Sequence, residues 1–407
     1  MKMSIFFFIG IFVNTVYGQD QCDFKNANDL LNRIKENHPL VLEAELQSEA
    51  QLKLIDISKQ RPNPNLDAEM LFGDTNSEFA ADTLFSLQHT FELGGKRSAR
   101  IKSAEAQIQM SELQKRNVSE SVVINTVMKL YQLQQLEKLT SLYNEAIETF
   151  QHMRKRLKRL PSLSPQQQIE MDTLELASSS YGFNVIQKKA ERNAIERYLM
   201  YFSGCSSINK ENILPSASVL ISNTDMFTGV ANSVQVLDAK QVLDIAQTQL
   251  AQENAKKTPN LSLGPAVGYG RSQGTDSLLF GAALSMPLPL LNKNKGNRAF
   301  ENANVKKATL AFQNVEQKTL LDLEIWKQKY LRYYQSLHSI EGKESMEIKH
   351  RRLESLFRRG VVPANMVIEA HRQLIDFSQM QLSVELEAIE ALWNIYRLTG
   401  NLDKETL

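Results

Sequence analysis

The chain has 407 residues with 47 Lys+Arg against 46 Asp+Glu, a balance that gives no reason to expect nucleic acid as a partner. At 42% hydrophobic and 23% charged it is not a disordered chain, and it is long enough for two domains of ordinary size. Proline is scarce, at 11, while Leu, Gln, Glu, Lys and Ala abound, so long helices are the first expectation.

The amino end reads as a secretory signal over residues 1–18. Lys2 supplies the positive start, Ile5 to Val13 an apolar core, and Thr15-Val16-Tyr17-Gly18 a cleavage site after Gly18. As a membrane anchor the apolar run is too short. A lipoprotein would carry its modified cysteine at the cut, whereas Cys22 follows Gln19-Asp20-Gln21. No other stretch approaches the roughly 20 apolar residues of a spanning helix. The chain is therefore expected to be exported, and to cross a membrane only with strands.

After the signal, two halves follow one plan at an offset of about 196 residues. Pro64-Asn65-Leu66 returns as Pro259-Asn260-Leu261, "SLQHTFELGGKR" (Ser86 to Arg97) as "ALSMPLPLLNKNKGNR" (Ala283 to Arg298), and "RYLMYFSG" as "NIYRLTG". The first repeat, 19–204, is predicted as a helix, a β-hairpin over 65–91, and long helices over 96–157 and 166–203. Residues 205–235, rich in Ser and Asn, read as a linker. The second repeat, 236–400, holds a helix, a hairpin over 260–287, and helices over 298–359, apart from a lone Gly342, and 365–399. Residues 401–407 form a tail.

From Lys96 to Leu157 there is no proline or glycine, and Val122, Thr126, Met128, Leu130, Leu133, Leu136, Leu139 and Leu142 recur at helical spacing. A helix of that length reaches about 90 Å, far more than a globular domain needs, and suggests an antiparallel coiled coil. In the hairpins the period is two. Leu261, Leu263, Pro265, Val267 and Tyr269 alternate with Ser262, Gly264, Ala266 and Gly268; Leu278, Phe280, Ala282, Leu284 and Met286 alternate with Leu279, Gly281, Ala283 and Ser285. Leu66, Ala68, Met70 and Phe72 alternate with Asp67, Glu69 and Leu71. Strands of roughly 9–11 residues, apolar on one face and small or polar on the other, suit a transmembrane barrel. They also suit hairpins on a soluble core, but the thin coiled coil offers none. Four strands cannot close a barrel, so the membrane reading requires oligomers, and a conduit favours three copies.

On these features the chain resembles the TolC-like outer-membrane factor family, with "FELGGKRSAR" (Phe91 to Arg100) the joint that carries the likeness most closely. Its wording, Glu92 to Arg97, is similar to that of the heavy-metal-efflux branch. The resemblance implies a mainly α fold with a transmembrane β-barrel: a homotrimer with a twelve-stranded barrel (three times four) and an α-helical periplasmic tunnel. It implies the outer membrane of a Gram-negative bacterium, contact with outer-membrane lipid, a periplasmic adaptor and an inner-membrane pump of RND type, and no cofactor. At the joint, Gly94 and Gly95 permit backbone angles other residues resist. Lys96 and Arg97 are expected either near the lipid headgroups or in a solvated first helical turn.

No catalytic constellation is found. The six His lie in no metal-ligand spacing, no phosphate loop or serine elbow is present, and His350 and His371 read as surface helix positions. The resemblance assigns Arg358, Arg359, Gly360 and Val361 to the adaptor-binding tip. Arg159 and Ser162 are their first-half counterparts, where Pro161 replaces the flexible glycine; a plain helix–helix turn is the alternative. Glu369, with Glu170 and Asp172, is a candidate for pore constriction, or else these are ordinary exposed carboxylates. Leu263, Val267, Phe280 and Leu284 are expected to face lipid. Cys22 and Cys205 are either bonded or two free thiols. Two functions follow, from different classes: an exit duct of a tripartite efflux or type I secretion system, or a secreted coiled-coil scaffold.

Overall fold

The computed structural model describes residues 20–75, 78–209, 213–215, 227–272, 275–339, 348, 351–353, 355–357, 359 and 361–402. The expected signal 1–18, residues 210–212 and 216–226 of the segment 205–235, Gly342, His350, Arg358, Gly360 and residues 403–407 of the tail lie outside the described residues. The helix expected first is two: α1 (Ala27–Asn37) and α2 (Pro39–Lys59), divided where Pro39 opens a new helix behind the extended His38. The hairpin β2 (Asn65–Thr75) and β3 (Glu78–Phe91) leads into α3 (Lys96–Leu157), which returns as α4 (Pro165–Ser203). The Ser and Asn-rich segment is not only a linker, because β4 (Cys205–Ile208) pairs in parallel with β1 (Asp20–Cys22). Then come α5 (Val234–Ala255), the hairpin β5 (Leu261–Ser272) and β6 (Thr275–Ser285), α6 (Lys295–Ser339) and α7 (Ala364–Thr399).

The four long strands form one antiparallel sheet in the order β2-β3-β5-β6. Its outer strands, β2 and β6, are both edges. The helices form a narrow pillar rather than a globule: α3 packs on α2, α4, α5 and α7, and α6 on α5 and α7. Three apolar clusters run along it. One gathers Val127, Tyr330, Ile389, Leu392 and Trp393; a second joins Leu30, Ile34, Leu130, Leu133 and Leu199; the third holds Tyr143, Phe150, Leu174, Val367 and Ile375.

The joint between β3 and α3 shows why two glycines and two cations stand there. Gly94 and Gly95 both have φ of 73°, a left-handed geometry that a Cβ resists. At Gly94 a Cβ would also lie 2.6 Å from Thr258 Cβ, whereas at Gly95 nothing lies within 4 Å. The cations find partners within the chain. Lys96 Nζ donates to Asn260 Oδ1, and Arg97 Nε to the Lys59 carbonyl at 3.1 Å. Arg100 donates to the carbonyls of Ser58 (3.0 Å) and Gln60 (2.8 Å) and pairs with Glu92 at 2.7 Å. These cations oppose the dipole of the helix they begin, but they satisfy the unpaired carbonyls at the end of α2. Arg100 in turn holds the Glu92 carboxyl below its usual range.

The second joint does the same with other residues. Asn294, at φ 56°, takes the glycine's geometry, and its amide donates to the Glu253 carbonyl near the end of α5 at 2.9 Å. Arg298 donates to Asn254 Oδ1 at 2.7 Å. Here α6 begins at Lys295, three residues before the expected 298.

Cys22 and Cys205 are joined by a disulfide across a sequence separation of 183, which ties β1 to the strand that follows α4. Closing so long a loop contributes at most about 5 kcal/mol in the chain-entropy account.

The two glycines are separable by experiment. Gly95→Ala should cost roughly 1–2 kcal/mol, the left-handed backbone alone. Gly94→Ala should cost more, since Thr258 and the Ala255 carbonyl must also move. Thermal melting in detergent, followed by helical circular dichroism, checks that order; equal melting points would contradict it.

Candidate functional site: strand face, helical tip and aromatic box

The ladder register decides which strand residues share a face. Leu263 pairs with Leu284, and Val267 with Phe280. Through β3 the second pair extends to a row of Ala68, Phe85, Val267 and Phe280, followed by a row of Met70, Thr83, Tyr269 and Leu278. All four residues expected to face lipid thus lie on one side, together with Leu66 and Phe72. This side is solvent-exposed in the single chain, with Phe280 at 77%. The opposite face carries the row Asp67, Ser86, Ala266 and Gly281. Gln88 there donates to Asp67 (3.1 Å) and Ser86 (3.0 Å), and the Thr90 and Ser262 hydroxyls lie 3.0 Å apart. Leu71, Leu84 and Leu279 interrupt its polarity. Among the described residues no helix is long and apolar enough to cross a membrane.

At the far end of the pillar the two turns lie side by side. In the first, Arg159 and Ser162 are exposed, and Ser164 closes a capping box with Gln167 at the start of α4. In the second, Arg359 donates to Ser355 Oγ at 3.2 Å, and Val361 is exposed. Between them runs a groove of about 590 Å³, lined by Leu160, Ser164, Gln167 and Glu170 from one turn and by Phe357 and Val361 from the other. Sequence reading missed Leu160 and Phe357. The available signal was an apolar residue directly beside the tip arginines in each half.

The constriction candidates are not one cluster. Glu170 accepts from Gln166 at 3.5 Å and Asp172 from Gln168 at 3.1 Å, both within α4. Glu369 on α7 pairs with Arg372 at 2.6 Å, and Arg372 also reaches Asp376 at 2.9 Å. With Gln373 also donating, the Glu369 carboxyl is held down at about 2. Glu369 is therefore a charge-paired carboxylate rather than a bare one.

His371, expected at the surface, is only 1% exposed. Its helix turns it inward, where its ring meets Phe150 edge-on at 5.2 Å. Around it α3, α4 and α7 assemble an aromatic box: Tyr143 and Tyr181 lie 5.4 Å apart, and Phe150 and Tyr181 5.6 Å apart. The Tyr143 hydroxyl is bonded by Gln379 at 3.0 Å. The Tyr181 hydroxyl is buried with no hydrogen-bond partner among the described residues. Burial, followed by the fields of Tyr143 and Asp376, pushes Tyr181 up to about 12. Arg154 on α3 ties the box's outer side to Glu175 on α4 at 2.6 Å. No group of three or more His, Cys, Asp or Glu able to hold a metal occurs among the described residues.

With this geometry in hand the comparisons with known proteins can be read. Residues 30–158 match the outer membrane efflux protein family. No curated protein sequence matches the chain. Solved structures match nearly all of it. Crystal structures of CusC, described for its transmembrane channel formation, share 13% identity over 96% of this chain and 95% of that one, at a TM-score of 0.70. The open-state outer membrane channel MtrE of Neisseria gonorrhoeae shares 15% identity over 93% and 90%, at 0.71. The outer membrane channel CmeC of Campylobacter jejuni shares 13% over 93% and 86%, at 0.69. The fold is that of the outer membrane channels. The family expected from the sequence is the one matched over 30–158, and the mainly helical fold with its strand sheet is present in the chain itself.

Removing the orphan hydroxyl tests the box. Tyr181→Phe should stabilise the protein by about 1 kcal/mol near neutral pH, because an unpaired buried donor is lost. The parent's folded state holds the Tyr181 proton up to about 12, while its unfolded state releases it near pH 10. The unfolded form thus binds fewer protons in that window, and stability falls as pH rises through it. Tyr181→Phe should show a smaller alkaline loss in pH-dependent melting; an identical or steeper loss would contradict the assignment.

Proposed function

We propose that the chain is one subunit of a homotrimeric exit duct in the outer membrane of a Gram-negative bacterium, extending into the periplasm. Adaptor and pump open it at its helical tip, and it performs no catalysis. The observation that carries this reading is the sheet. It has one largely apolar face left in solvent, interrupted by Thr83 and His89, and two edges unpaired in the single chain, and it stands on a helical pillar with the outer-membrane-channel fold. In hydrocarbon every open edge leaves backbone groups unsatisfied at several kcal/mol each. Pairing β6 of one copy with β2 of the next removes both edges, and three copies give the strand number that leaves a channel.

The tip groove between Leu160, Phe357 and Val361 is the docking surface for the adaptor's helices, with Arg159, Ser162 and Arg359 exposed in the same two turns; Arg358 and Gly360 join the proposal from the sequence alone. The wording of the Glu92 to Arg97 joint favours the heavy-metal branch and an RND-type pump. A secreted scaffold is the second reading, and solubility separates the two. A duct without its signal should need detergent and sediment as a trimer, whereas a soluble monomer would sink the proposal.

The strand register predicts opposite fates for neighbouring arginines. Phe280→Arg, mid-sheet on the apolar face, should cost roughly 2–4 kcal/mol of barrel stability. Gly281→Arg, on the opposite face, should leave assembly intact and alter conductance. Equal loss of heat-resistant trimer in both would refute the facing.

At the tip, Arg372 stands between two carboxylates. Arg372→Ser should leave Glu369 and Asp376 uncompensated, so single channels in planar bilayers should become more cation-selective and more easily blocked by divalent cations. Unchanged selectivity would remove Glu369 from the pore lining.

A further inference from the structure

The second joint contains a stretch without a counterpart in the first. Between β3 and α3 stand only Glu92 to Gly95, whereas between β6 and α6 stand Met286 to Asn294, "MPLPLLNKN". Its leucines turn outward: Leu288, Leu290 and Leu291 are 67%, 76% and 103% exposed. Pro287 and Pro289 restrict the backbone, and the Leu290 N–H closes back on the Leu288 carbonyl at 2.9 Å. The far end is pinned, since the Asn294 amide donates to the Glu253 carbonyl at 2.9 Å. The loop is thus held at both ends with its apolar residues presented between them, a patch that a water-facing loop has no use for.

Two observations say what covers it. Leu284 lies on the apolar strand face, and by strand alternation Met286 prolongs that face to the start of the loop. Lys293 and Lys295, both exposed, follow the leucines at once. Apolar side chains continuous with a lipid face and followed by long-stemmed cations match the boundary between acyl chains and phosphate headgroups. Cys22, bonded to Cys205, offers no thiol for acylation.

We propose that Met286 to Lys295 is a membrane wedge: the three leucines enter the headgroup–acyl boundary of the leaflet nearest the helical pillar, and Lys293 and Lys295 meet lipid phosphates. The wedge rests on the duct reading, and it fixes the height of the sheet in the bilayer from the second joint only.

Tryptophan quenching tests it. Leu291→Trp and, separately, Phe280→Trp are reconstituted in phosphatidylethanolamine–phosphatidylglycerol vesicles doped with lipids brominated either near the headgroup or deep in the chain. Emission of the parent, which has 2 Trp, is subtracted. The wedge predicts that Leu291→Trp is quenched by the shallow bromines more than by the deep ones, and Phe280→Trp the reverse. If Phe280→Trp is quenched but Leu291→Trp is blue-shifted and unquenched, a neighbouring protomer covers the loop and the wedge is wrong while the duct stands. A Leu291→Trp emission that stays red and unquenched, with Phe280→Trp quenched, leaves the loop in water and overturns the wedge alone. If neither is quenched, the duct reading falls and the wedge with it.

Discussion

Backbone N–H and C=O groups in hydrocarbon must be paired within the protein, and a four-stranded sheet with β2 and β6 at its margins leaves two rows of them open. Most of the remaining architecture answers to that constraint. In the proposed duct a bilayer completes the apolar strand face that the single chain exposes, and a neighbouring copy completes each open edge. The helices repeat the pattern. On α4, Ile169, Leu176 and Phe183 are exposed at intervals of seven residues, the seam spacing of a coiled coil that lacks its partner. In the proposed duct such a subunit is unfinished alone, and its stability is inseparable from assembly.

The passage from sheet to pillar has to be stiff if movement at the tip is not to loosen the barrel. Both joints achieve this by binding the end of the preceding helix to the start of the next. Arg97 and Arg100 take the carbonyls of α2, and Asn294 that of α5. Glu92 completes the first clamp by holding the Arg100 guanidinium from the strand side. The disulfide ties the amino end to the close of α4. It constrains the middle of the pillar, where a small parallel sheet would otherwise rest on the few bonds of β1 and β4.

Much of this was legible in the order of residues. The absence of glycine and proline from Lys96 to Leu157 marks the limits of α3, and alternation in β5 and β6 assigns faces that the ladder register repeats. What failed depended on contacts between distant segments. The partners of the first joint's cations were not foreseen, because the acceptors of Arg97 and Arg100 lie about 40 residues upstream at the end of another helix and that of Lys96 is Asn260, in the second half. His371 looked exposed because a lone histidine on a helix gives no sign of which side Phe150 will occupy. The ion pair of Glu369 went unread, although Arg372 one turn away was there to be read. Tyr181 carried no signal at all, since an orphan hydroxyl is defined only by what fails to surround it.

The distribution of core chemistry along the pillar bears on where movement is cheapest. The central cluster is built on Leu392, Ile389 and Trp393, apolar contacts that any opening would have to expose. That cluster also buries Tyr131, Tyr330 and Tyr396. The tip cluster buries Tyr143 and Tyr181, with the His371 imidazole against Phe150; the Tyr181 hydroxyl has no partner among the described residues, and ion pairs such as Arg154–Glu175 lie beside the cluster. Such pairs are worth little in water, and a buried hydroxyl that lacks a bond gains one when the box opens. In the proposed duct an adaptor inserted between Leu160 and Phe357 would act beside this orphan hydroxyl and these ion pairs, while the clamps at the joints would keep the rearrangement from reaching the sheet.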